Sequence, residues 1–309
     1  MTGANARARG RVLAMETFRR CVGDLDRAVD FYCDALGFEL DIVGFEQVGG
    51  SRRAVLTLGA ESIELVEFGG PAAALRAGPE RTFPTMGFQH IAIVARDMSA
   101  AFDRLARACP RPISIGGPIA LPPSSGGVTA FKFRDPDGHP LELIHFPSGS
   151  GDPRWQRDVD KDATIGVDHS AIVVGDIERS MAFYTRLLGF SVDARQVNQG
   201  HAQDRLDGLA VSVVEVVALR PAEDPTPHLE LLGYRHPAPS RSSPLGTASE
   251  ASDLIVWAAE DLSELCKRIA PNTQVSARDL ADIERDRSLR VCDPDGHRHL
   301  LVECDVQDT

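Results

Sequence analysis

The chain repeats itself, and the way it repeats restricts the possible folds more than any other feature. Gly23-Asp24-Leu25-Asp26-Arg27-Ala28-Val29-Asp30-Phe31-Tyr32, followed by Leu36-Gly37-Phe38, returns as Gly175-Asp176-Ile177-Glu178-Arg179-Ser180-Met181-Ala182-Phe183-Tyr184, followed by Leu188-Gly189-Phe190. A second pair, Asp135-Pro136-Asp137-Gly138-His139, returns as Asp293-Pro294-Asp295-Gly296-His297. The order is A-B-A′-B′, a two-module block written twice. Such a chain must assemble from four small, related units.

Each unit reads as a strand, a helix and then further strands. Phe18 to Val22 is a short strand, and Asp24 can cap the helix that follows by accepting from free amides of its first turn. Ala28, Val29, Phe31, Tyr32, Ala35 and Leu36 form one apolar stripe, and Gly37 suits a left-handed helix stop. Weaker helices start at Asp97 and Asp261, and the Asp-Pro-Asp-Gly tetrads are turns between the final strands. The expected organisation is an unstructured start over 1–14, a first half over 15–147 with modules 15–70 and 86–147, and a linker over 148–164. The second half covers 165–305, with modules 165–235 and 251–305 separated by a Pro/Ser-rich loop at 237–250.

The 309 residues are 43% hydrophobic and 25% charged, which suits a globular chain. A formal charge of −12 without a basic block argues against nucleic acid or an anionic membrane as partner. The six cysteines form no Cys-x-x-Cys pair and read as reduced thiols. The start lacks the apolar core of a signal peptide, and no run approaches a membrane span, so a cytoplasmic location is expected.

Two strand-like runs, Phe88–Val94 and Val167–Val174, each carry one histidine among apolar residues, His90 and His169. Two carboxylates sit between leucines, in Leu141-Glu142-Leu143 and Leu229-Glu230-Leu231. An unpaired carboxylate on a buried strand face costs several kcal/mol or stays protonated, so these groups call for a shared partner. A divalent cation would serve all four.

The repeated modules, the Asp-Leu…Phe-Tyr…Leu-Gly-Phe helix and the Asp-Pro-Asp-Gly-His turn before Leu-Glu-Leu resemble the vicinal oxygen chelate superfamily, which covers glyoxalase I, epimerases, extradiol dioxygenases and bleomycin resistance proteins. The resemblance implies an α+β fold of four βαβββ modules in two tandem glyoxalase-like domains, with mixed, curled sheets around metal and substrate clefts. It also implies one ligand from the first strand and one from the last strand of each metal-binding module. Those positions are Thr17 and Glu64, His90 and Glu142, His169 and Glu230, and Leu254 and Leu300.

If the second module pairs with the third and the first with the fourth, one cleft gathers His90, Glu142, His169 and Glu230. The other, with Thr17, Glu64, Leu254 and Leu300, cannot hold a metal. That pairing is the expectation. It implies one divalent ion (Zn, Ni, Co, Fe or Mn) with neutral imidazole and carboxylate donors. The expected activity is that of a metal-dependent lyase or isomerase of the glyoxalase I or epimerase type, on a small molecule with adjacent oxygens, with Glu142 or Glu230 moving the proton. The alternatives are an extradiol-type dioxygenase and a non-catalytic binding or resistance protein. A monomer is expected, with a homodimer as the alternative. Among other residues, His139 and His297 read as turn residues, His145 and His299 as strand-edge or surface groups, and His228 as a group sharing the face of Glu230. Tyr234 reads as a surface residue, Trp155 as a linker anchor, and Tyr32 and Tyr184 as core.

Overall fold

The computed structural model describes residues 10–48, 51–68, 84, 89–157, 162–240, 253–271 and 286–304. The first module comprises β1 (Arg11–Cys21), α1 (Leu25–Leu36), β2 (Glu39–Val48), β3 (Ser51–Leu58) and β4 (Glu61–Phe68). The second comprises β5 (Gln89–Ala95), α2 (Met98–Arg107), the short β6 (Arg111–Pro112) and β7 (Ile119–Ala120), β8 (Thr129–Arg134) and β9 (Pro140–His145). The third has β10 (Thr164–Val173), α3 (Ile177–Ala182), β11 (Ser191–Gln199), α4 (His201–Asp207), β12 (Val213–Arg220) and β13 (His228–His236). The fourth shows β14 (Leu254–Glu260), α5 (Leu262–Ile269), β15 (Ser288–Cys292) and β16 (Arg298–Glu303).

Sheets do not form within the halves of the chain. One runs β15-β16-β14-β1-β4-β3-β2, joining modules one and four. The other runs β11-β12-β13-β10-β5-β9-β8-β6, with β7 on β8, and joins modules two and three. The antiparallel contacts β1·β14 and β5·β10 are the seams.

The repeated motifs explain what holds each half together. The first aspartate of each tetrad ties down its own turn, Asp135 Oδ1 accepting from the amides of Asp137 and His139, and Asp293 Oδ1 from those of Asp295 and His297. Its other oxygen accepts from the tyrosine of the preceding module's helix, Tyr32 Oη to Asp135 and Tyr184 Oη to Asp293, both at 3.0 Å. The second aspartate accepts from the amide that opens that helix segment, Gly23 N to Asp137 and Gly175 N to Asp295. The turn histidine closes the lock on a first-strand carbonyl, His139 Nε2 on Cys21 O and His297 Nε2 on Val173 O. The two motifs recur together because they bind each other.

All four helices that follow a first strand are capped as the sequence suggests, by Asp24, Asp97, Asp176 and Asp261. α1 stops at Gly37 with φ 81°, and its stripe is buried in a core shared by all four modules.

Three expectations about the ends of the elements and their packing need correction here. Residues 11–14, placed in the unstructured start, belong to β1: Val12 and Leu13 are buried against β14, and Arg11 reaches Glu260 and Glu223, both at 2.7 Å. The linker is only partly free of structure. It holds a short 3₁₀ helix, Pro153–Gln156, that buries Trp155, and β10 has already begun at Thr164. His299 is fully buried: Trp257 Nε1 donates to its Nδ1 and Tyr184 Oη bonds its Nε2, and burial lowers its pKa to about 4. Residues 1–9 and the part of the 237–250 loop from 241 lie outside the described residues.

Candidate metal centre

The same ladder register relates the first-strand and last-strand positions in every module. The residue two beyond the first-strand position pairs with the last-strand position: Ala92 with Glu142, Ala171 with Glu230, Arg19 with Glu64, and Val256 with Leu300. Strand alternation then puts His90 and Glu142 on one face, and likewise His169 and Glu230. The β5·β10 seam brings the two pairs together, with His90 opposite Ala171 and Ala92 opposite His169.

His90, Glu142 and His169 present ligand atoms that all lie within 4.8 Å of one another, and all three are buried. His90 Nε2 is 3.0 Å from Glu142 Oε2. Glu230 stands beside this trio, its Oε2 3.5 Å from His169 Nε2 and its Oε1 3.8 Å from His228 Nε2, with 21% of its side chain exposed. His169 Nδ1 is bonded to Asp168 Oδ2 at 2.9 Å, and Trp155 Nε1 donates to the other oxygen at 2.8 Å. That bond fixes the ring so that Nε2 faces the trio.

Sequence reasoning missed one neighbour altogether. Lys132 on β8 is the cross-strand partner of Glu142, and its buried ammonium lies 3.9 Å from Glu142 Oε2 and 2.9 Å from Asp207 Oδ1. Asp207 ends α4 and also accepts from Gln203 and from Tyr234, which is buried and not at the surface as expected. A lysine between Phe131 and Phe133 in an alternating strand was the visible signal.

The electrostatics follow from crowding acids in a buried place. Burial disfavours the His169 imidazolium, yet Glu230, Asp168 and Glu142 outweigh it and raise the pKa to about 9. Burial likewise raises Glu230, but His169 and then His228 bring it down to about 2. For Glu142, Lys132 and His90 overcome burial and hold the carboxyl below its usual range. His90 is pushed down, chiefly by burial. Lys132 is pushed down by burial and up, more strongly, by Asp207 and Glu142. Four carboxylates (Glu142, Glu230, Asp168 and Asp207) meet a single ammonium, and the remaining bases are imidazoles. The surplus negative charge and the nitrogen–oxygen donor set fit a divalent cation of the borderline kind.

The other cleft is built differently at the same positions. Glu64 is bonded by Arg19 and, at 3.1 Å, by Arg53; Thr17 Oγ1 donates to Ser62 O; Leu254 is buried.

With fold and geometry in place, the comparisons agree on the class. The chain matches the Glyoxalase/Bleomycin resistance protein/Dioxygenase superfamily over residues 14–143 and 166–300, and it belongs to that family. A catechol-2,3-dioxygenase of Bacillus subtilis (strain 168) is 28% identical over 200 residues, 55% of this chain. The match spans 63% of that protein's length. A "Probable lactoylglutathione lyase" of Synechocystis is 31% identical over 41% of this chain and 91% of its own length, and a 2-epi-5-epi-valiolone epimerase of an Actinomyces species is 32% identical over 42% and 77%. Glyoxalase I from Zea mays superposes over 95% of this chain and 92% of its own with a TM-score of 0.58 and 20% identity, a likeness of fold. The named relatives are a dioxygenase, a lyase and an epimerase. Among the described residues no helix is long and apolar enough to cross a membrane.

Proposed function

We propose that the protein is a metal-dependent lyase or isomerase that moves a proton on a small substrate with adjacent oxygens. His90, Glu142, His169 and Glu230 would hold the ion, which supplies Lewis-acid polarisation of a substrate carbonyl. The observation that carries this reading is the inequality of the two carboxylates. Glu142 is 7% exposed, with His90 at 3.0 Å and Lys132 at 3.9 Å; Glu230 is 21% exposed, with no ion-pair contact among the described residues shorter than the 3.5 Å to His169 and the 3.8 Å to His228. Glu230 is therefore the group free to swing to a substrate C–H, take its proton as general base and return it to the adjacent carbon.

A second reading rests on the trio. His90, Glu142 and His169 form a two-histidine, one-carboxylate set of the kind used by ring-cleaving dioxygenases, with Glu230 standing aside. One assay series separates the two. Deuterium exchange at the α-carbon of a methylglyoxal–glutathione hemithioacetal, or of an acyl-CoA, followed by NMR, supports proton transfer. Oxygen uptake with catechol and ring opening, without such exchange, sinks the lyase reading.

A further inference from the structure

The metal reading leaves one buried charge unused. Lys132 belongs to none of the four ligand positions, yet it lies among them. The positions equivalent to it, each directly across the ladder from a last-strand ligand position, are Val55 opposite Glu64, Ala218 opposite Glu230 and Arg290 opposite Leu300. Within the His/Glu cleft only module two places a cation there. The lysine is 4% exposed, and Asp207 beside it is 1% exposed.

Burying an ammonium and a carboxylate costs each its hydration, and an apolar pair of similar size would often be as stable. Docking of α4 onto module two does not need the pair. Ser114 Oγ donates to Leu206 O, the Ile115 amide donates to Arg205 O, Arg205 returns a bond to Ile115 O, and Leu206 packs on Ile119 and Ala130. Three donors converge on Asp207, from Lys132, Gln203 and Tyr234, so the carboxylate is rigid and holds the ammonium in place. The result is a polarised site. Glu230 has the imidazoles His169 and His228 for neighbours, while Glu142 has His90 and the ammonium of Lys132.

We propose that Lys132 is a catalytic residue: its ammonium binds the substrate oxygen on which negative charge develops. This rests on the proton-transfer reading and deepens it by naming the substrate class. The substrate presents an incipiently anionic oxygen beside its second chelating oxygen, as an enolisable hydroxy-carbonyl does. In the step itself the C–H bond breaks and its proton passes to a Glu230 oxygen. The electron pair becomes the C=C bond, and the former carbonyl oxygen takes the negative charge at the Lys132 side. Glu230 returns the proton to the former carbonyl carbon while the hydroxyl proton of the first carbon passes to the charged oxygen, so that carbonyl and hydroxyl exchange places and neutrality is restored. A preorganised cation at that oxygen acts on the transition state more than on the neutral ground state.

The test uses the full chain loaded with Mn(II) and the probe oxalate, a dianion with vicinal oxygens, titrated by calorimetry beside metal analysis and thermal melting. Lys132→Met should keep its Mn(II) and its fold but bind oxalate roughly 10- to 100-fold more weakly, while Lys132→Arg stays within a few-fold of wild type. Lys132→Met that retains Mn(II) and binds oxalate like wild type overturns the assignment and leaves the metal reading standing. Wild-type protein that retains no Mn(II) overturns the metal reading, and the assignment with it. If the single variant unfolds, Lys132→Met/Asp207→Leu, which removes both buried charges, carries the same two outcomes.

Discussion

The two clefts of this molecule share one design and differ in what fills it. Both are built on a first-strand seam, with ligand positions set by the same register. In the cleft of modules two and three, the residues paired with Glu142 and Glu230 are Ala92 and Ala171, and the imidazoles stand two residues before them. In the cleft of modules one and four those places are held by Arg19 and Val256, with Thr17 and Leu254 where the imidazoles would be. Glu64 keeps the position of a ligand, but its charge is answered by Arg19 and Arg53. A carboxylate on a buried strand needs a counter-charge, and guanidinium meets that need as well as a metal could. The sheet tolerates either solution, so losing the ligands need not mean losing the fold.

The largest expected effect breaks the comparison outright if it fails. His90→Ala and His169→Ala should each abolish retention of the metal, whereas Glu64→Ala should leave the content of the purified protein unchanged. Elemental analysis of the three proteins decides this, and the reverse pattern would assign the site to the wrong cleft. Next comes a gain. Thr17→His, Arg19→Ala, Leu254→His and Leu300→Glu together should add a second ion per chain, because register alone places the donors. A folded variant still holding one ion would show that ligand identity and register are not enough, and that an orienting group such as Asp168 is required. Third, Asp168→Asn should weaken metal affinity by about 10- to 100-fold, read by competition with a chelator, through loss of the anchored His169 ring.

Much of this architecture was legible because the repeated motifs align by eye. The Phe-Tyr helices mark modules one and three and the tetrads modules two and four, and comparing the modules showed that Thr17, Leu254 and Leu300 stand where the expected pattern has His or Glu. The pairing of modules followed from asking where the ionisable residues could be useful, and the sheet order bears it out. What could not be read were contacts between segments that no repeat links. Lys132 finds Asp207 across two modules, through a helix that interrupts β11 and β12. Arg19 lies two residues from Thr17, but only the ladder shows it opposite Glu64. His299 read as a surface residue because alternation tells which face a side chain takes, not what lies over that face.

The smallest effect sharpens the comparison at its most economical point. Asp168 and Asp253 each immediately precede the first-strand ligand position of their module, and each holds an imidazole Nδ1 at 2.9 Å. In one cleft the imidazole is His169, whose Nε2 faces Glu230. In the other it is His139, the turn histidine of module two, so the same carboxylate position serves as a staple, with Asp253 also accepting from the Cys21 amide. Burial opposes the charged His139, but Asp253 and then Asp135 raise its pKa to about 9. Because the folded value lies above the unfolded 6.5, the pair's contribution is complete below about pH 6.5 and fades as pH rises through 9. It amounts to roughly 3 kcal/mol at most by the linkage relation. Denaturant melts of the metal-loaded wild type should therefore lose stability between pH 6.5 and 9.5 relative to Asp253→Asn, which lacks the charge. Asp168→Asn, by contrast, should shift metal affinity and leave this pH difference in place. If Asp253→Asn instead tracks the wild type across that range, the carboxylate is not a staple, and the two positions differ by more than the imidazole they hold.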